Sequence, residues 1–409
     1  MLRLPLRFCG IASAIAVSIL LALFAPLARA SQNTQHSALH FGMRMELITT
    51  GNTEALLNAA QIMKTDWVAQ DVKWRDVEAQ PGQYRWAELD QLLLDARPYG
   101  FHILFSVSGA PDWARPPAAD LTLDGPPVDY AHFTRFISAL AGRYAGVVGA
   151  YEIWPESNLS SRWSTPDGLS PERYTELLRQ AAEAVRAADP AALVVSGGLA
   201  PTGANDGVNA IDDLVYYQRM YTAGAANYFD ALGVRVDGFN NAPGDTPTYS
   251  TVLSATHKGH TSFYFRHYED VRNVMVANGG ADADMWITSA GWASSEGPIA
   301  GLEYAADINE QQQAEFLVEA LVQAQSQPYL SVIIVNNFNL ATAPDVPSYF
   351  GPYSLLRADW SARPAFITLA QIRQGDVFAQ SVTPTAPATS HVLPNWQPRL
   401  RYTFQAGQP

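Results

Sequence analysis

The sequence predicts an α/β fold in which eight strands, each followed by a helix, close into a single-domain (β/α)8 barrel. Short apolar runs alternate with longer amphipathic segments along most of the 409-residue chain, which is typical of a parallel sheet. Eight such units favour a closed barrel over an open doubly wound sheet. No Gly-x-Gly-x-x-Gly motif follows the first predicted strand, which argues against a dinucleotide-binding fold.

Each predicted strand is a short apolar run. The eight are His40–Leu47, Trp67–Trp74, His102–Gly109, Val148–Glu156, Leu193–Leu199, Phe229–Val236, Met285–Trp292 and Leu330–Asn337. The predicted helices show apolar residues at helical spacing between these runs. They are Glu54–Lys64, Trp86–Tyr99, Tyr130–Tyr144, Pro171–Ala188, Asp212–Gly224, Ser262–Asn278, Ile308–Ser326 and Pro364–Gln374.

Both ends of the chain differ from the barrel segment. Residues 1–30 have the pattern of a signal peptide, with Arg3 and Arg7 before an apolar run and Ala28-Arg29-Ala30 as a cleavage site. An uncleaved anchor is the alternative. Residues 31–40 are interpreted as a linker, 41–375 as the barrel domain and 376–409 as a Pro/Thr-rich tail. We therefore expect a secreted or extracytoplasmic protein that is free of the membrane after cleavage.

Charge and cysteine content narrow the function classes. The net charge is -13 and no run of Lys or Arg stands out, so nucleic acid is a poor partner. The single cysteine lies in the predicted signal peptide, so disulfides are not expected. No His-Glu-x-x-His motif or cysteine pair indicates a metal, and we expect no cofactor. We expect a monomer.

The carboxyl ends of the predicted strands are where barrel enzymes carry their chemistry. These ends are polar and aromatic here. They are Lys73-Trp74, Gly109-Ala110-Pro111-Asp112-Trp113, Trp154-Pro155-Glu156-Ser157-Asn158, Arg235-Val236-Asp237, Ser289-Ala290-Gly291-Trp292 and Asn336-Asn337-Phe338-Asn339.

Four of these segments together resemble clan A glycoside hydrolases, especially families 39 and 5, over most of residues 41–370. The segment 151–158, Tyr-Glu-Ile-Trp-Pro-Glu-Ser-Asn, is similar to the fourth-strand motif usually written Trp-Asn-Glu-Pro-Asn. The segment 286–292 resembles the seventh-strand motif Thr-Glu-Phe-Gly-Trp. Segments 74–90 and 110–114 resemble the second-strand and third-strand segments.

The resemblance implies a retaining mechanism with two carboxylates about 5–5.5 Å apart. Glu156 matches the acid/base. Ser289 stands at the position of the nucleophilic glutamate, and Pro155 stands at the position of an asparagine that contacts the sugar. A serine without an activating base is a weak nucleophile and carries no negative charge. The sequence therefore predicts that retaining hydrolysis is lost, and that Glu156 lacks the raised pKa of an acid catalyst.

Asp237 and Glu296 are the candidates for a substitute carboxylate, and Glu296 lies in a Ser/Gly loop where we expect it to be solvated. The segment 235–238 is Arg-Val-Asp-Gly where relatives usually have His-Pro-Tyr-Gly. An inverting pair with Glu156 would need about 6.5–9.5 Å between the carboxyl groups. The favoured alternative is an ion pair between Asp237 and Arg235, two residues away on the same face of the strand.

Three functions remain open at this point. The first is a secreted protein that binds an oligo- or polysaccharide without cleaving it. The second is an active glycosidase with Glu156 and an unconventional second group. The third is a structural envelope protein with a vestigial cleft. The predicted sugar contacts are Trp74, Trp113, Trp154, Asn158, Arg235, Trp292 and Phe338.

Overall fold

A computed structural model of the chain describes residues 39–49, 51–249, 257–342 and 348–374. The predicted signal peptide, most of the linker and the predicted tail lie outside these residues. Within them, eight parallel strands form one closed barrel in sequence order. The predicted (β/α)8 barrel is confirmed. In the same ranges, no helix has the length and apolar character that a membrane crossing requires.

Every predicted strand is present, although several are shorter than predicted. The strands are β1 His40–Arg44, β2 Trp67–Lys73, β3 His102–Ser108, β4 Ala150–Ile153, β5 Leu193–Ser196, β6 Ala231–Asp237, β7 Asp284–Gly291 and β8 Leu330–Val335. β4 was predicted to reach Glu156 but ends at Ile153. Trp154 and Glu156 have φ angles of 54° and 60°, which end the extended conformation.

The helices that follow the strands cover the outside of the barrel. They are α1 Thr53–Ile62, α2 Trp74–Val77, α3 Ala87–Ala96, α4 Tyr130–Arg143, α5 Pro171–Ala188, α6 Asp213–Thr222, α7 His267–Ala277, α8 Glu310–Gln325 and α9 Pro364–Gln374. Ser170 caps α5 through Arg173 N at 3.2 Å, as the Ser-Pro pair predicts. The single turn α2 was not predicted.

Helix α7 begins five residues later than predicted, at His267. The preceding Thr261–Phe263 forms a separate 3₁₀ turn, and the side chain of His260 caps it. His267 is fully buried, and its Nε2 lies 2.6 Å from Asp213 Oδ2 of α6. Although burial opposes protonation, Asp213 raises the pKa of His267 to about 9. The two outer helices are thus joined by a buried ion pair.

The lower part of the barrel interior is apolar. Its core consists of Trp67, Ala69, Leu104, Ala150, Val195, Ala231, Trp286, Val332 and Ile334. The rings of Trp67 and Trp286 meet at 4.8 Å, edge to face. Gly42 faces them, and a Cβ there would lie 2.9 Å from the Cβ of Trp67. The rings of Trp67 and Trp286, packed opposite Gly42, fill the lower end of the barrel and form its floor. Any site must therefore lie above this floor.

Candidate functional site

The residues above this floor follow from the two-residue period of a strand. Ala69, Asp71 and Lys73 succeed Trp67 on the inward face of β2, and Leu104, Ser106 and Ser108 line the inward face of β3. On β6, Ala231 and Gly233 are followed by Arg235 and Asp237. The interior thus changes from apolar to charged toward the carboxyl ends of the strands, where barrel sites lie.

The lowest polar layer is built around the buried Arg44 of β1. Its guanidinium contacts Asp71 and lies 3.5 Å from Glu152 Oε2, and it donates to Thr288 O at 3.1 Å. Ser106 also donates to Glu152. These contacts offset the burial of the Arg44 charge, although its Nε has no hydrogen-bond partner among the described residues. This layer connects β1, β2, β3, β4 and β7 across the lumen.

Glu156 lies above this layer, in the loop after β4. Arg162 Nε donates to its Oε2 at 3.0 Å, and Arg235 Nε lies 3.5 Å from its Oε1. Burial disfavours the ionised form, but the nearby Arg235, Arg162 and Lys73 outweigh burial and lower the pKa of Glu156. This agrees with the prediction that Glu156 lacks the raised pKa of an acid catalyst.

Ser289 lies on β7, and the structure brings it to the same end of the barrel as Glu156. The register of β7 shifts near this residue on both of its edges. Ser289 is fully buried, and Arg235 Nη2 donates to its Oγ at 3.3 Å. Arg235 therefore contacts both positions that the resemblance marks as catalytic. Since a guanidinium cannot accept a proton, this contact does not activate the serine.

The predicted ion pair between Arg235 and Asp237 is wrong. Across the described residues, the carboxylate within ion-pair distance of Arg235 is that of Glu156. Asp237 Oδ1 is buried and has no hydrogen-bond partner in this part of the chain. Burial raises the pKa of Asp237 to about 7, with Glu156 adding to the rise and Arg235 opposing it. The guanidinium instead contacts Glu156 in the loop after β4 and Ser289 on the neighbouring strand β7.

The prediction that aromatic rings line the cleft is wrong for four of its five members. Trp74, Trp154, Trp292 and Phe338 are all at most 1% exposed, so they present no accessible ring face. Their side chains point outward, between the sheet and the helices. Trp113 is partly exposed.

Hydrogen bonds hold the buried indoles in these outward positions. Trp74 Nε1 donates to Glu78 Oε2 at 2.6 Å, and Trp154 Nε1 donates to Arg162 O at 3.0 Å. Trp292 Nε1 donates to Asn241 O at 2.8 Å. These tryptophans are structural: they anchor the loops that follow β2, β4 and β7.

Asn158 is also a structural residue, contrary to the predicted sugar contact. It is fully buried, and its Nδ2 donates to Ala200 O at 2.9 Å and to Ile211 O at 3.0 Å. Its Oδ1 accepts from Ala200 N at 2.9 Å. The amide thereby joins the loops after β4 and β5; both of its N–H groups are used and the side chain is buried away from any ligand.

Sequence reasoning missed the charges contributed by the β2 and β3 side of the barrel. Lys73 Nζ donates to Ser108 Oγ at 2.9 Å and lies 3.2 Å from Asp124 Oδ2. Arg75 also contacts Asp124, and Arg162 Nη1 lies 3.5 Å from it. The position of Lys73 at the end of a strand could have indicated that it lines the site. Asp124 lies in a loop, where no sequence pattern indicated that it belongs to the site.

These residues surround a pocket of about 500 Å³ at the carboxyl end of the barrel, a size typical of small-ligand sites. Its walls are polar and charged. They include Arg44, Glu46, Gln70, Asp71, Lys73, Asp76, Arg85, Glu88, Ser106, Ser108, Pro155, Glu156, Arg162, Arg235 and Asn336. Over the described ranges, no cluster of His, Cys, Asp and Glu side chains is placed to hold a metal ion.

No protein-family model and no curated protein matches the chain. Solved structures do match. A family 39 glycoside hydrolase from Bacteroides cellulosilyticus WH2 aligns with a TM-score of 0.60 and 16% identity, over 83% of this chain and 64% of that one. GH5_18 from Streptomyces cattleya, in complex with GlcNAc, aligns with a TM-score of 0.59 and 16% identity. The alignment covers 86% of this chain and 83% of that one.

Xylanase 10B from Thermotoga maritima gives a TM-score of 0.56 and 12% identity, over 84% of this chain and 97% of that chain. The present chain spans 64% of the length of the family 39 structure. At these identities, the likeness concerns the fold. The chain thus has a (β/α)8 barrel similar to those of the glycoside hydrolase structures it matches, and the resemblance predicted from its strand-end segments is confirmed at the level of fold.

Proposed function

We propose that this protein is a secreted, monomeric, glycoside-hydrolase-like protein that binds an oligo- or polysaccharide and has lost retaining hydrolysis. The observation that carries this proposal is the position of Arg235, which contacts both Glu156 and Ser289. In a retaining enzyme, the reacting sugar lies between the acid/base and the nucleophile. In this protein, a guanidinium bridges the two positions.

The charges around Glu156 and Ser289 argue against retaining hydrolysis. An acid catalyst must carry a proton at the working pH, whereas two arginines hold Glu156 as a carboxylate by lowering its pKa. A nucleophile must carry charge or have a base beside it, whereas Ser289 faces a cation. Arg235 therefore acts against both halves of a retaining mechanism, together with Arg162 at Glu156 and with the replacement of the nucleophile by Ser289.

Two observations favour a sugar as the ligand. The pocket lies at the end of the barrel where ligands of this fold bind, and its walls present donors and acceptors suited to hydroxyl groups. The similar GH5_18 structure holds GlcNAc. Because the ring faces of the tryptophans are buried, we expect recognition here to depend on hydrogen bonds and charge rather than on stacking.

The proposal is tested by a turnover assay on a panel of aryl glycosides and polysaccharides, run beside a glycan-binding array. We expect binding without turnover. Glu156→Gln serves as the variant, and Arg173→Gln, which alters an exposed ion pair on α5, serves as the control. Wild-type turnover that disappears in Glu156→Gln and persists in Arg173→Gln would contradict the loss of hydrolysis.

One observation favours a second candidate, an inverting glycosidase. The pKa of Glu156 is lowered while that of Asp237 is raised to about 7, and such a divergent pair is the arrangement of a base and an acid. In this case Asp237 would protonate the leaving group and Glu156 would activate water. Turnover that falls as pH rises through about 7, and that is absent in Asp237→Asn, would select this candidate.

A further inference from the structure

We propose that the ligand is an acidic glycan whose negatively charged group, a carboxylate or a sulfate, binds beside Glu156 among Lys73, Arg162 and Arg235. This inference rests on the proposed glycan binding and names its chemical class. It comes from the distribution of charge in the pocket, because the lining has five cations and five carboxylates and three of the cations lie around Glu156.

Asp124 is surrounded by an excess of cations. Lys73 Nζ lies 3.2 Å from Asp124 Oδ2, and Arg162 Nη1 lies 3.5 Å from the same oxygen. Arg75 contacts Oδ1. One carboxylate therefore balances only part of three positive charges at this wall of the pocket.

Glu156 does not remove this excess, because it brings a further cation with it. Its two oxygens contact Arg162 at 3.0 Å and Arg235 at 3.5 Å. Taken with Asp124, four cationic side chains converge on two carboxylates. In a chain with a net charge of -13, a local positive excess of this kind is consistent with an anionic ligand.

The deeper Arg44 layer offsets part of this excess. Arg44 contacts Asp71 and Glu152, so that layer contributes one more carboxylate than cation. Asp237 offsets less than a full charge near neutral pH, because burial raises its pKa to about 7. With the Arg44 layer included, five cations face four carboxylates here, and the partial charge of Asp237 narrows the difference. The cations are thus gathered on this side of the pocket rather than in excess over its whole lining.

The cations are accessible from the pocket. The side chains of Lys73, Arg162 and Arg235 are 32%, 30% and 12% exposed, and all three line its wall. Nη1 of Arg235 donates to no acceptor in the described ranges, since the contacts of this guanidinium are made by Nε and Nη2. A planar guanidinium with an unused donor suits the oxygens of a carboxylate or sulfate.

A second part of the lining is mainly acidic, although it includes the cation Arg85, and it sets the expected direction of the ligand. Glu46, Asp76 and Glu88 line the pocket from the segments that follow β1 and β2. Carboxylates accept hydrogen bonds from sugar hydroxyls and repel an anionic substituent. We therefore expect the acidic group to lie toward Glu156 and an uncharged part of the glycan to lie toward Glu88.

The test uses the mature full-length chain and isothermal titration calorimetry with matched pairs of oligosaccharides. One pair is an oligouronate and its carboxyl-reduced counterpart. The other is a sulfated oligosaccharide and its desulfated counterpart. We expect at least one acidic member to bind about tenfold or more tightly than its neutral counterpart, as a charged hydrogen bond implies. The pair that shows the difference distinguishes carboxylate from sulfate recognition.

Arg235→Gln and Lys73→Gln should each lower the ratio of acidic to neutral affinity about tenfold. Arg173→Gln is the control for a lost surface charge, and circular dichroism identifies any variant that fails to fold. Equal affinity for both members of every pair would overturn the acidic-glycan inference and leave the proposed function standing. Binding of neither member would overturn both.

Discussion

Arg235→Met removes the guanidinium that bridges Glu156 and Ser289 and keeps an apolar side chain of similar length. In the wild-type protein, Arg235 Nε lies 3.5 Å from Glu156 Oε1, with side-chain exposures of 12% and 20%. The attraction at this distance is about 5 kcal/mol at an effective dielectric constant of 20, before desolvation is subtracted. The variant therefore isolates the contribution of one ion pair at the centre of the pocket.

The net effect on stability is smaller than this attraction. Breaking a buried ion pair costs about 3–5 kcal/mol when the remaining charge is left alone. Glu156 keeps Arg162 at 3.0 Å, so we expect the free energy of unfolding to fall by about 2 kcal/mol near neutral pH. The melting temperature should fall by about 3 °C for a domain of this size.

The pH dependence gives a further check on this explanation. The pKa of Glu156 lies below its ordinary value of 4.5 in the folded protein. Its ionisation therefore contributes stability above that value and loses it as pH falls through the folded pKa. The difference between wild type and Arg235→Met should be largest near neutral pH and shrink toward about pH 3.

Urea denaturation followed by circular dichroism, from about pH 7 down to about pH 3, measures this difference. Arg173→Met is the matched control, because the Arg173–Asp167 pair is 52% and 62% exposed and should contribute little. A stability difference that stays constant across this pH range would refute the role of Glu156. So would an equal loss of stability in the control.

Three other changes test separate parts of the structure. Ser289→Glu alone should give no turnover of activated aryl glycosides, because the new carboxylate would pair with Arg235. Ser289→Glu combined with Arg235→His should give measurable turnover. Activity in the single variant would contradict this account. Gly238→Ala should lower the free energy of unfolding by about 1–3 kcal/mol, because its Cβ would lie 1.9 Å from Trp292 Nε1. An unchanged urea denaturation curve would argue against that contact. The wild-type protein should lose stability as pH rises from about 7 to about 9, because the pKa of His267 in the folded protein exceeds its ordinary value of 6.5. His267→Gln should lack this loss when thermal unfolding is followed against pH. An identical pH profile in the variant would exclude His267 as the source of the loss.

The sequence alone determined the barrel fold and the segments at the carboxyl ends of its strands. The apolar runs and their spacing specified all eight strands, because a strand buried on both faces must be short and apolar. The strand-end segments also identified Glu156 and Ser289 as positions that meet at one end of the barrel, with Arg235 between them in the structure. These features depend on local pattern and chain order, which a sequence records directly.

The tertiary structure decided which side chains enter the lumen. Both faces of a barrel strand are buried, so apolarity does not distinguish inside from outside. Trp74 and Lys73 are adjacent at the end of β2, yet Trp74 packs outward under the helices while Lys73 lines the pocket. The period of two made this alternation certain, but only the floor formed by Trp67 and Trp286 showed which set points inward.

The partner of Arg235 also depended on the closed barrel. Its neighbour two positions along the strand, Asp237, lies on the same face, which is why an ion pair between them was predicted. In the structure the guanidinium instead reaches Glu156 from another strand's loop and Ser289 on β7. Parallel pairing of β6 with β7 places Ser289 opposite Arg235, and the loop after β4 brings Glu156 to the same guanidinium. No local pattern in the sequence encodes these distances.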